Sequence, residues 1–185
     1  MKVQVANQTD KERKVRVQAV MTDPKGVDPA GETVPLTIPP HSTGEVDIPL
    51  VLSNVKPWSP DNPDLYTLSV EVWDAAGGDH SKDPAHLLDN RSIRVGVRTV
   101  EITEKGLVLN GSLFPEKLIG GNRHQDFARL GNAVPNNLQW QDAVKLRKAG
   151  MRVIRSAHYP QDPAFMDACD RLGLFVIVAT PGWQF

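Results

Sequence analysis

From Lys2 to about Glu101 apolar and polar residues alternate. Val3 and Val5, then Val15, Val17, Ala19 and Met21, fall on one face, while Lys2, Gln4, Lys14, Arg16 and Gln18 fall on the other. A period of two is the pattern of a strand with one buried face. Asp23-Pro24-Lys25-Gly26 closes the second strand as a turn. Further alternations at Val34-Leu36-Ile38, Val46-Ile48-Leu50, Leu68-Val70-Val72 and Ile93-Val95-Val97 are separated by Pro39-Pro40, by Ser59-Pro60-Asp61-Asn62-Pro63 and by the Gly77-Gly78 loop. Short strands at this spacing predict an antiparallel, immunoglobulin-like β-sandwich.

After Gly106 the pattern changes to strand, loop, helix, strand, which calls for a parallel sheet with crossover helices. The change places a domain boundary near residue 100, giving a sandwich over 1–100 and an α/β domain over 101–185. Lys117 to Gly121 is expected as a first strand. Asn137 is the expected cap of a helix over Leu138 to Ala149, stopped by Gly150. Met151 to Ser156 reads as a buried strand. Asp162-Pro163 then opens a helix lined by Phe165, Cys169 and Leu172, which Gly173 ends. Leu174 to Val178 is a continuous apolar run of the kind buried on both faces. The second half is thus expected to hold three strands and two helices.

Charge narrows the function classes. With 21 Lys+Arg against 22 Asp+Glu, the net charge of -1 offers no basic field for a phosphate backbone, so no nucleic-acid partner is expected. The longest strongly apolar run, Leu172 to Thr180, is too short to span a bilayer, and no membrane partner is expected either. A single cysteine, Cys169, excludes an internal disulfide and leaves the compartment open, with a periplasmic or secreted parent among the options. Asn7-Gln8-Thr9 and Asn110-Gly111-Ser112 fit the glycosylation pattern, a signal too short to carry weight.

In a parallel α/β sheet the strand carboxyl ends face the ligand. The first strand runs into Asn122-Arg123-His124-Gln125-Asp126 and the second into Arg155-Ser156-Ala157-His158-Tyr159-Pro160. Imidazole, guanidinium and amide groups at one rim suit a polyhydroxylated neutral ligand, because each sugar hydroxyl both gives and takes hydrogen bonds. Trp183 follows the third strand, where an indole can stack on a sugar ring. Each residue also has a plain structural role open to it. The histidines can bond backbone, Arg123 and Arg155 can pair with Asp126 or Asp162, and Trp183 can be packing. Cys169 reads as a small buried hydrophobe, and His41, His80 and His86 as solvated. A zinc site from His124 and His158 lacks a third ligand at any recognised spacing.

Four stretches together resemble glycoside hydrolase family 2, the β-galactosidase, β-glucuronidase and β-mannosidase group. Pro57-Trp58-Ser59-Pro60-Asp61-Asn62-Pro63-Asp64-Leu65-Tyr66 is similar to a motif of the family's sandwich domain, and Gly96-Val97-Arg98-Thr99-Val100-Glu101-Ile102 to the strand leading into its barrel. Leu109-Asn110-Gly111 with Gly120-Gly121-Asn122-Arg123-His124-Gln125-Asp126 resembles the barrel's first strand and loop. Arg155 to Pro160, with Asp167-Ala168-Cys169-Asp170-Arg171-Leu172-Gly173-Leu174, resembles its second strand and helix.

The resemblance implies a sandwich followed by a (β/α)8 TIM barrel that hydrolyses terminal β-glycosidic bonds with retention, through two glutamates roughly 5 Å apart. It implies that His124 and His158 contact the sugar, that Arg155 organises the pocket floor, and that Asn122, Arg123 and Asp126 support the loop. The family's glutamates come from later strands. A complete barrel takes about 250 residues, so the chain is expected to be a fragment holding the first three strands, inactive alone, with no catalytic residue of its own. Its partners are then a β-linked oligosaccharide or glycoside and the remainder of its own barrel. An unpaired third strand and uncovered helix faces predict aggregation. Ile119 stands where family members often have an Arg, and the lack of Glu and His in Pro181 to Phe185 speaks against a metal, so no cofactor is expected. The rival reading is a non-catalytic carbohydrate-binding or interaction module, disfavoured because the polar residues cluster at barrel strand ends rather than as an aromatic row on the sandwich.

Overall fold

The computed structural model describes residues 1–26, 29–77 and 83–180. His80, Trp183 and the rest of Pro181 to Phe185 lie outside the described residues. The chain divides into two compact units, Met1–Val55 with Tyr66–Val95, and Lys56–Leu65 with Gly96–Phe185. No helix among the described residues is long and apolar enough to cross a membrane.

The first unit is the sandwich. Its strands are β1 (Lys2–Asn7), β2 (Arg13–Thr22), β3 (Pro29–Ile38), β4 (Ser42–Asp47), β5 (Tyr66–Asp74) and β6 (Leu87–Val95). One sheet pairs β1 with β4, and the other runs β3-β2-β5-β6. The alternation read from the sequence sets the register. Val17 lies opposite Val72 and Ala19 opposite Val70, while Val3 lies opposite Val46 in the smaller sheet. Val15, Val17, Ala19, Ile38, Ile48 and Val72 form a buried core onto which Val3, Val5 and Val46 pack, so the two sheets meet on their apolar faces. Each fully buried Val or Ile among them stabilises the fold by about 1.5–3 kcal/mol. Asn7, the first glycosylation candidate, is buried and donates to the carbonyls of Lys11, Ile38 and Pro39. Asn110, the second, is held by Thr99 N and the Trp58 carbonyl. Both amides are structural.

The second unit opens with an antiparallel sheet, β7 (Val100–Thr103), β8 (Gly106–Leu109) and β9 (Ser112–Leu113). The periodicity does not announce this sheet, because its strands are only two to four residues long. Asn110 and Gly111, at φ 52 and 78, make its tight hairpin turn.

Then come β10 (Gly120–Arg123), α1 (Asn136–Lys148), β11 (Val153–Ser156), α2 (Pro163–Leu172) and β12 (Phe175–Ile177), with β10-β11-β12 forming a parallel sheet. This is the start of a β/α barrel. β10 begins three residues later than the sequence suggests. Glycine is needed at its first position, where a Cβ would run into the Val153 carbonyl. α1 starts before Asn137, on Pro135 in extended conformation with no side-chain cap. α2 starts as expected, with Asp162 accepting from Ala164 N, and ends on Gly173 in the left-handed region. Ala143, Ile154, Phe165, Ala168, Cys169 and Leu174 are the buried core between sheet and helices.

Lys56–Leu65 packs within this second unit, although it lies in sequence between β4 and β5. Trp58 is 1% exposed, donates from Nε1 to the Asp170 carbonyl at 2.8 Å, and meets Phe175 edge to face at 5.5 Å. Asp61 takes ion pairs from Arg147 and Arg152, and the Pro60 carbonyl accepts from Arg147.

Candidate functional site

β10 and β11 deliver two kinds of side chain at their carboxyl ends, because successive residues point to opposite faces. Arg123 points to the helix side and is buried. It donates to Gln161 Oε1 at 2.5 Å, Gln139 Oε1 at 2.7 Å and Asp142 Oδ2 at 2.9 Å, and its guanidinium lies 3.9 Å from the Phe165 ring centroid. These bonds hold Arg123 beneath the rim, where it braces two helices against β10. Asn122 points the other way and stands in register with Arg155 on β11, which is followed by Ile177 on β12.

His124 and His158, in the loops after β10 and β11, come together. Their rings meet edge to face at 5.4 Å with planes 80° apart, and Arg155 Nη1 lies 3.0 Å from His158 Nδ1. The Ala157-His158 peptide is cis. Asn122, His124, Arg155 and His158 therefore share one face and one end of the sheet. Asp126 has a loop role: with the Asn132 side-chain amide turned over, its nitrogen donates to Asp126 Oδ1 at 2.5 Å and to the Gln125 carbonyl at 2.8 Å.

Several positioning residues were not singled out from the sequence. Gln125 N donates to Tyr159 Oη at 3.0 Å, and Gln125 Oε1 accepts from Asp162 N at 2.7 Å, tying the first loop to the second. Ser156 Oγ accepts from Ala179 N at 2.7 Å, tying the segment after β12 to β11. Gln139 is fully buried. Its signal was present: Gln139, Ala143 and Leu146 are spaced as one helix face, and a polar residue in an apolar stripe needs a buried partner.

Cys169 sits in the core, and burial, with Asp170 beside it, pushes its thiol up to about 12, which leaves it inert. Among the described residues no group of three His, Cys, Asp or Glu is placed to hold a metal ion.

A sandwich followed in sequence by parallel β/α units, with polar side chains gathered at the strand carboxyl ends, defines the chain as a sandwich joined to the start of a β/α barrel. Residues 1–98 match the family model for glycosyl hydrolases family 2, and residues 100–184 match that for glycosyl hydrolases family 2, TIM barrel domain. The chain belongs to glycosyl hydrolase family 2. The beta-galactosidase of Thermoanaerobacter pseudethanolicus is 39% identical over 135 residues, which are 72% of this chain and 17% of that protein. The glycosyl hydrolase family 2 member from Bacteroides cellulosilyticus superposes with a TM-score of 0.85 at 28% identity, over 97% of this chain and 23% of that one. A beta-glucuronidase of Bacteroides uniformis shares the fold, with a TM-score of 0.82 at 23% identity over 98% of this chain and 22% of that one. The chain thus spans 17% of the length of the curated relative named first.

Proposed function

We propose that this chain supplies the sandwich, over 1–100, and the first three barrel strands, over 101–185, of a retaining exo-β-glycosidase of β-galactosidase type. In this reading His124 and His158 bind the sugar residue that is cleaved, Asn122 and Arg155 line the pocket beneath them, and Arg123 and Asp126 support the loop. Trp183 is proposed as a stacking platform. The observation that carries the reading is the convergence of two imidazoles, a guanidinium and an amide on one face at the carboxyl ends of β10 and β11. Such a set offers donors and acceptors to hydroxyls.

Retention needs one carboxyl as nucleophile and another as acid/base, roughly 5 Å apart. Asp126 is bonded into its own loop, and Asp142 and Asp162 serve Arg123 and the α2 cap. The two catalytic carboxylates are proposed to come from barrel strands outside these 185 residues. Sugar recognition by the sandwich finds less support. The groove of about 820 Å³ between its sheets is lined by apolar residues such as Val5 and Val72 and polar ones such as Gln4, Asn90 and Arg91, but no aromatic is among its lining residues to stack on a sugar ring.

The test is nitrophenol release from β-galactoside, β-glucuronide, β-mannoside and β-glucoside substrates, by the chain alone and by a version to which the remaining strands of a family 2 barrel are added. Activity confined to the extended version is expected, and the preferred sugar identifies the enzyme. Turnover by the 185 residues alone would overturn the assignment of the carboxylates. Replacing His124 and His158 by Ala is expected to abolish sugar binding, and binding that survives both changes would favour the interaction-module reading.

A further inference from the structure

We infer that Arg155 is a positioning residue that fixes the tautomer of His158, keeping the ring proton on Nε2. A guanidinium carries five N–H donors, has no acceptor and stays charged. With Arg155 Nη1 3.0 Å from His158 Nδ1, the arginine must be the donor, and Nδ1 must present its lone pair. A neutral imidazole with Nδ1 as acceptor carries its proton on Nε2.

The arrangement has little freedom. Arg155 stands on β11, the central strand of the parallel sheet, paired with Asn122 on one side and Ile177 on the other. His158 follows three residues later, with the His124 ring packed edge to face against it. The consequence is a polarity. At Nε2 the ring presents a donor, so a ligand oxygen there is met by its lone pair, and a group that only donates is turned away.

That consequence for ligand choice rests on the rim being a sugar subsite. The tautomer itself is read without a sugar, so the two ideas fail separately. The measurement is a long-range ¹H–¹⁵N correlation spectrum of the labelled 185-residue chain, with the His158 ring assigned by its loss in His158→Gln. The expected pattern is a pyridine-type Nδ1 and a protonated, pyrrole-type Nε2. Arg155→Lys, which keeps a cationic donor, is expected to preserve it. Arg155→Met is expected to lower the tautomer ratio by roughly tenfold, since a hydrogen bond to a charged group is lost.

A proton on Nδ1 in the unaltered chain overturns the inference outright. An unchanged ratio in Arg155→Met overturns the role of Arg155. If Arg155→Met loses its dispersed amide spectrum, a through-hydrogen-bond correlation between the Arg155 guanidinium and His158 Nδ1 in the unaltered chain decides: its presence supports the inference and its absence overturns it.

Discussion

Two glycines in the second unit do the same local job with different surroundings, so one substitution separates two costs. Gly150 follows α1 at φ 84 and Gly173 follows α2 at φ 72. A Cβ at Gly150 would meet nothing within 4 Å, whereas one at Gly173 would run into the Pro60 carbonyl. Gly150→Ala therefore bears only the left-handed conformation, about 1–2 kcal/mol. Restriction of the unfolded chain offsets that by about 0.4–1 kcal/mol, leaving a net loss of roughly 0.5–1 kcal/mol. Gly173→Ala bears the same cost plus a clash with backbone. The obstructing carbonyl accepts from Arg147 Nη2 at 2.9 Å, so moving it aside also strains that bond.

Overpacking typically costs about 1–3 kcal/mol, and a hydrogen bond to a charged group contributes about 1.5–3 kcal/mol. The expected loss for Gly173→Ala is thus about 3–7 kcal/mol. Urea unfolding followed by tryptophan fluorescence measures both variants. A lower midpoint with an unchanged slope marks a change in stability rather than in the denatured state. Equal losses at the two sites would refute the steric argument, and with it the close approach of the Pro60 segment to α2.

Three other outcomes are expected. Arg123→Met leaves Gln139 and Gln161 without their buried donor and breaks the pair with Asp142, which should lower stability by about 3–5 kcal/mol; a loss below about 1 kcal/mol in urea would show that the guanidinium is not the brace described. The Asp61 carboxyl is held below its ordinary range, chiefly by its bond to Arg152, so its contribution is present above the unfolded value of about 3.9 and lost as pH falls through the lower folded one. Asp61→Asn should flatten that acid limb slightly, since the carboxylate is exposed and screened, and the midpoints of the two proteins should converge at low pH; midpoints that diverge on acidification would reverse the sign. Cys169, buried with its thiol raised to about 12, should resist an aromatic disulfide reagent at mildly alkaline pH and react only on unfolding, and rapid reaction of the native chain would contradict its burial.

How much the sequence disclosed follows from the range of the forces involved. The sandwich strands were legible because burial of one face imposes a period of two, as in Val15, Val17 and Ala19. The α2 boundaries were legible because Asp162, Pro163 and Gly173 act within a turn of the helix. The sheet of β7, β8 and β9 was not, since its strands are too short to show a period, although Asn110-Gly111 carried the hairpin signal. The start of β10 was misplaced because its register depends on a close approach to Val153, a residue 33 positions away from Gly120 in the chain.

At the site, strand-end logic brought out His124, Arg155 and His158, which lie together, but not the split between Asn122 and Arg123. That split depends on which way β10 faces, and the partners that decide it, Gln139, Asp142 and Gln161, are 16, 19 and 38 residues further on. Lys56–Leu65 lies within the residues 1–98 that the first family model matches, and it packs with the second unit. Its partner on α2 lies 112 residues beyond Trp58, far outside any local pattern.

That long tether has a consequence for how the protein is made. A ribosome adds roughly 5–20 residues each second, so the Trp58 indole is synthesised roughly 6–20 s before the Asp170 carbonyl that receives its N–H. In that interval Gly96, Arg98 and Asn110 reach Trp58 first, while its Asp170 and Phe175 partners have yet to be made. The loop's last contacts, to α2 and β12, therefore form after the sandwich strands on either side of it have been synthesised.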